Sequence, residues 1–138
     1  MTADQTTQKA SAHRLSRIRL ELARSKDRVE GSQGEGYEFV APLDPTGHIS
    51  VDGWKHDRAL CFVHRFEGGV TVQRGLLMHR PGGPGGATWA FDYEGDVGID
   101  EEAGYRFGAH AFAVGEYVSV RDADGELRTY RVAQVRPA

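Results

Sequence analysis

The sequence predicts an all-β domain, a small antiparallel β-barrel or a compact sandwich of seven or eight short strands, with any helix confined to a turn or two. Three observations carry this reading. The chain holds 18 glycines, none of them before Gly31, so turn-forming residues punctuate everything that follows. Between them run short segments in which apolar and polar residues alternate, the period of a half-buried strand. Two pairs of these segments are joined by loops of hairpin length, Glu67-Gly68-Gly69 and Asp122-Ala123-Asp124-Gly125.

The elements follow in order. Residues 1–13 read as a polar, disordered tail and residues 14–138 as a single domain, long enough to bury a core without staples. Arg17 to Leu22 alternates, with Ile18, Leu20 and Leu22 on one side. The spacing of Leu15, Ile18 and Leu22 also fits a helix, which stays open as the alternative. Gly31 to Gly36 reads as a loop and Tyr37 to Leu43 as a strand closed by the turn Asp44-Pro45-Thr46-Gly47. Ala59 to Phe66 predicts a strand with Leu60, Phe62, His64 and Phe66 on the buried face. A three-residue loop would then oppose Phe66 to Val70 and His64 to Val72, which keeps like with like. Ala87 to Glu94 aligns Trp89, Phe91 and Tyr93 on a core-facing side, and Tyr105 to Phe112 reads as a further strand. At the end, a four-residue loop opposes Val120 to Leu127, Arg121 to Glu126 and Tyr117 to Tyr130. The run Gly115-Glu116-Tyr117-Val118 with its Asp-Gly hairpin is similar to the last strands of SH3-like barrels over about twenty residues. That resemblance implies a fold and no activity.

Composition narrows the function classes. The chain carries 17 Lys and Arg against 20 Asp and Glu, a formal net charge of −3. Through Glu30 the count is seven cations against four anions, +3, and beyond it ten against sixteen, −6. An acidic body argues against general nucleic-acid binding, leaving Arg14, Arg17, Arg19, Arg24, Lys26 and Arg28 as its one cationic source. Lone Cys61, flanked by Leu60, Phe62 and Val63, reads as a buried thiol in a reducing compartment. With no signal-like or membrane-spanning apolar run, the expectation is a soluble cytoplasmic protein.

Motifs for catalysis are weak. His48, His56, His64, His79 and His110 are dispersed, without a ligand-type spacing, so no metal or cofactor is expected, and His64 reads as a hydrogen-bonded core residue. Asp92, Glu94, Asp96 and Asp100 resemble a calcium loop, but Val97 stands at the sixth position and Ala103 at the twelfth. With Glu101 and Glu102 they read as a solvated acidic loop. Gly82 to Gly86 lacks the lysine and helix of a phosphate cradle, and no serine or cysteine sits in a nucleophile motif. What remains is a polar and aromatic set, Trp54, Lys55, His56 and Arg58 together with Arg65, His79, Arg80, Tyr105, Arg106, His110, Tyr117 and Tyr130. If the outer faces of the two hairpins meet, these residues form an Arg/Tyr/His patch suited to a peptide, an anion or a partner protein. The reading is a non-enzymatic binding domain. The alternatives are a metal- or ligand-binding enzyme built on the histidines with Asp92 or Glu94, and nucleic-acid binding through the basic N-terminal segment. An open-edge N-terminal strand would also allow a homodimer in place of a monomer.

Overall fold

The computed structural model describes residues 13–24, 31–80, 88–93, 101–104, 110–121 and 126–138, and the backbone alone for residues 80, 88 and 101–104. The chain is all-β. Its strands are β1 (Arg14–Leu22), β2 (Ser32–Leu43), β3 (Phe62–Glu67), β4 (Val70–Arg80), β5 (Thr88–Tyr93), β6 (Glu101–Gly104), β7 (Tyr117–Arg121) and β8 (Leu127–Pro137), with one short helix, α1 (Val51–Asp57). They form a single 8-stranded sheet in the order β6-β5-β4-β3-β2-β1-β8-β7, antiparallel at every described pair. The sheet curls until its end strands, β6 and β7, approach each other.

The concave side is the core. Ile18, Leu20 and Leu22 point into it from β1, so the strand reading of that segment holds and the helix does not form. They meet Tyr37, Phe39 and Ala41 of β2, Trp89, Phe91 and Tyr93 of β5, and Val118, Val120, Tyr130 and Val132 of the last two strands. Aromatic rings set the centre, with Tyr37 packed against Phe91 at 5.3 Å and edge-on to Tyr130 at 5.1 Å. The Asp44 turn forms as expected. Gly47 N–H donates to the Asp44 carbonyl at 2.9 Å, and Asp44 Oδ1 accepts from Thr46 N–H and His48 N–H. Helix α1 is two turns long, capped by Ser50, whose Oγ accepts from Gly53 N–H at 3.0 Å. It carries Trp54 to the end of the core, where the indole N–H donates to the Leu77 carbonyl at 2.8 Å.

Several expectations are corrected. β1 lies between β2 and β8 and is hydrogen-bonded on both sides, so the N-terminal strand offers no open edge for a dimer. Its partner β2 begins at Ser32, so most of the expected glycine loop is strand. The strand expected from Ala59 starts at Phe62, because Arg58–Leu60 forms a 3-10 turn. The β3–β4 hairpin turns on Gly68 and Gly69 alone, both at positive φ (59° and 78°), and Glu67 faces Val70. The mismatch such a turn creates is absorbed by a bulge. Phe66 faces Thr71, Arg65 faces Gln73, and Val72 is the extra residue. Strict alternation could not reveal a residue that breaks it.

The face assignment of β3 is also reversed, since Val63 is buried in the core and Phe62, His64 and Phe66 lie on the convex side. Guanidinium stacking explains this, with Arg17 over the Phe62 ring at 5.3 Å and Arg19 over the Phe66 ring at 4.1 Å. In the last hairpin Val118 faces Tyr130 and Arg121 faces Leu127, one residue off the expected register. This slip puts Val118, Val120, Tyr130 and Val132 on the same, inner side. Glu101 and Glu102 belong to β6, paired with Asp92 and Phe91, and not to a loop. Of the segment expected as a strand from Tyr105, residues 105–109 lie outside the described residues. Phe112, outside any strand, is buried and donates its N–H to the Gly47 carbonyl at 2.8 Å.

Residues 1–12 of the expected tail and the glycine run 82–86 also lie outside the described residues. His13 sits against Gly53, with Nε2 3.8 Å from Asp57 Oδ2. Cys61 is fully buried just before β3, and burial, reinforced by Asp57, pushes its thiol up to about 11.

Candidate functional site

On the convex side the sheet sorts its charges by the same period-2 rule that fills the core. Arg17, Arg19 and Glu21 alternate with Ile18, Leu20 and Leu22 along β1, so every charge of that run faces outward. Register then lines up neighbours: Arg17 faces Arg136 of β8, Arg19 faces Glu38 of β2, Glu38 faces His64 of β3, and His64 faces Arg74 of β4. Glu38 is the hub. Its carboxylate, 12% exposed, lies 3.2 Å from His64 Nε2, 3.8 Å from Arg17 and 3.7 Å from Arg136. Glu21 holds a second node, 2.8 Å from Arg19 Nε and 3.7 Å from Arg131. Across β8, β1, β2 and β3 the described outward-facing ion pairs therefore place Arg17, Arg19, Arg131, Arg136 and His64 on two carboxylates, and Arg74 extends the cationic row on β4.

This face runs into a cavity of about 560 Å3 between the ends of β1 and β2 and the β7–β8 hairpin. Glu21, Arg24, Ser32, Gln33, Tyr117 and Arg131 line it. Its wall is braced by Arg19, whose guanidinium donates to the Gln33 carbonyl at 3.0 Å, and by Ala23 N–H on the Thr129 carbonyl. Among the described residues that line it, guanidiniums, a carboxylate and a phenol make a polar recess.

The predicted site residues are scattered over this frame. Tyr117 is exposed on β7 and lines the cavity. Tyr130, expected beside it on the outer side, is in the core at 5% exposure. Arg65 shares the inward side of β3 with Val63 and is engaged by Glu67 and Gln73. His79 stands at the opposite end of β4, its ring 4.5 Å from Trp89 and 5.8 Å from Trp54, whose own ring lies under Arg58 at 5.9 Å. The backbone of Arg80 pairs with Thr88, His110 is half-buried before β7, and Tyr105 and Arg106 lie outside the described residues. His64 faces outward onto Glu38 and is not a core histidine. His48 bonds Thr46 Oγ1 through Nδ1 at 2.8 Å, and His56 lies beside Asp57. Among the described residues no group of three His, Cys, Asp or Glu side chains is placed to hold a metal ion.

The residues missed are Glu38, Arg74, Arg131 and Arg136, whereas Arg17 and Arg19 entered only through the nucleic-acid alternative. The signal was the charge alternation in β1. Its continuation across β2 and β8 depends on pairings between distant segments.

Burial lowers the pKa of both His64 and His79. For His64 the Glu38 carboxylate opposes this and Arg74, Arg17 and Arg19 reinforce it, and for His79 Lys55 does. A histidine whose folded pKa lies below its unfolded value binds its proton more readily in the unfolded chain. Its stabilising contribution is therefore present above about pH 6.5 and is lost as the pH falls through the folded pKa. Urea midpoints are expected to fall between pH 7 and pH 5.5, and to fall less in a His64→Gln/His79→Gln variant. Equal slopes in the two proteins would refute the assignment.

Comparison with protein-family models, curated proteins and solved structures finds no match to this chain. Among the described residues no helix is long and apolar enough to cross a membrane.

Proposed function

We propose that this domain is a binding module whose arginine-bearing convex face takes up an acidic protein or peptide segment. The observation that supports this reading most is the charge balance of the face. The four guanidiniums of Arg17, Arg19, Arg131 and Arg136 share the two carboxylates of Glu21 and Glu38, and Arg74 adds to the excess. Guanidiniums held by one carboxylate keep donors to spare, and their planar forks fit a second carboxylate with paired hydrogen bonds. Pre-placement on a paired sheet lowers the ordering cost that free arginines would meet on binding.

Nucleic acid is the second reading, supported by the same arginines interleaved with Phe62 and Tyr117. The net charge of −3 and the carboxylates at the centre of the row weigh against it, because phosphate binding accumulates with uncompensated cations. Both readings are tested by anisotropy titrations of a fluorescein-labelled glutamate-rich peptide and of a single-stranded oligonucleotide of equal length. The peptide is expected to bind wild type and to lose at least about tenfold in affinity in an Arg74→Ser/Arg136→Ser variant, whose altered positions are exposed. Equal affinity in the variant, or preference for the oligonucleotide, would reject the proposal.

A further inference from the structure

We infer that the segment recognised by this face carries an apolar side chain two residues from a carboxylate, in extended conformation; this rests on the acidic-partner reading and specifies it. Phe62 of β3 and Leu76 of β4 face each other in register on the convex side. They are 40% and 41% exposed, and Leu60, at 53%, immediately precedes the buried Cys61 at the entry to β3. A cross-strand apolar pair left open to water at the middle of a sheet marks a contact surface when charged groups rim it. Here they do. Arg17 lies over the Phe62 ring at 5.3 Å on the β1 side, and the next outward pair along both strands is His64 facing Arg74.

The spacing fixes the partner's chemistry. Successive outward positions on a strand are about 7 Å apart, two residues at the strand rise. An extended segment lying along β3 and β4 therefore sets one side chain on Phe62 and Leu76 and the side chain two residues away on His64 and Arg74. The first site offers hydrocarbon and a ring, with the exposed Asp92 of β5 facing Leu76 on its far side, so it selects an uncharged aliphatic or aromatic side chain. The second offers the Arg74 guanidinium beside the His64 imidazole, so it selects aspartate or glutamate. Phosphodiester chains fit poorly, because an anionic group over Leu76 loses water without gaining a donor.

Two labelled peptides of equal length and charge test this, one carrying Leu-Ser-Glu repeats and the other Ser-Ser-Glu repeats. The leucine peptide is expected to bind wild type at least about tenfold more tightly, from burial of its side chains on the apolar pair. A Leu76→Ser variant, checked for an unchanged urea transition, is expected to bind the two peptides alike, and Phe62→Ser provides the same readout from the facing strand. Equal binding of the two peptides by wild type, both lost in Arg74→Ser/Arg136→Ser, would overturn the apolar subsite and leave the acidic-partner reading standing. Binding of neither would overturn both. Sedimentation showing a wild-type dimer that Leu76→Ser dissociates would assign the patch to a second copy of the chain and overturn the inference.

Discussion

A Gly75→Ala variant is expected to lose at least about 3 kcal/mol of stability, and Gly75→Val to fail to fold. A Cβ at this position would lie 1.9 Å from the Asp92 carbonyl oxygen, 2.6 Å from its carbon and 2.7 Å from the Tyr93 Cα. All three are backbone atoms, so no rotamer change relieves the clash. Nor can β5 retreat, because Gly75 faces Tyr93 in the β4–β5 ladder and Tyr93 is anchored in the core beside Phe91 at 6.5 Å. The glycine lets β4 bend so that β5 folds over the concave side, the device by which a flat sheet becomes a curled one. Gly68→Ala supplies the contrast. Nothing lies within 4 Å of its Cβ position and only its positive φ of 59° is strained, so about 1 kcal/mol is expected. Urea denaturation of the two variants decides. Equal stability of Gly75→Ala and wild type would mean that β4 and β5 do not approach this closely.

Glu38→Gln is expected to act in opposite directions on folding and on binding. In the folded chain the carboxylate is the shared counter-charge of Arg17, His64 and Arg136. Neutralising it leaves like charges facing one another at a partly buried site, at a cost of about 1–3 kcal/mol. Because that cost is electrostatic, raising the salt should recover part of it. The same change releases guanidinium donors toward the outside, so affinity for the glutamate-rich peptide should rise several-fold. Paired measurements of the urea midpoint and the anisotropy affinity check this. A variant weaker in both would show that Glu38 itself touches the partner or that the face is not the binding surface.

How much of this was legible before folding varies by element. Alternation placed Ile18, Leu20 and Leu22, and Trp89, Phe91 and Tyr93, because burial on one side of a strand imposes period 2 directly on the residue order. It failed at Phe62 and Phe66. Arginines of a strand more than forty positions away lie over those rings, burying Phe66 and covering Phe62 in part, and a bulge at Val72 removes the register on which the pattern depends. Tyr130 was misread for a related reason. A one-residue difference in loop length exchanges the two faces of the last hairpin, and the alternation of Tyr130 and Val132 with Val118 and Val120 was the cue that outranked the turn. The candidate site was half legible. Arg17, Arg19 and Glu21 announce an outward charged row, but Glu38 becomes its hub only through pairings that bring Arg136, from the end of the chain, beside β1.

The most direct measurement is a residue-resolved map of amide and side-chain chemical shifts in wild type as the glutamate-rich peptide is added. The account predicts that perturbations concentrate on Arg17, Arg19, Glu38, His64, Arg74, Arg131 and Arg136, with Tyr117 at the end of the row, and that they vanish at high salt. Shifts centred instead on His79, Trp54 and Trp89, or the absence of any shift at low salt, would contradict it.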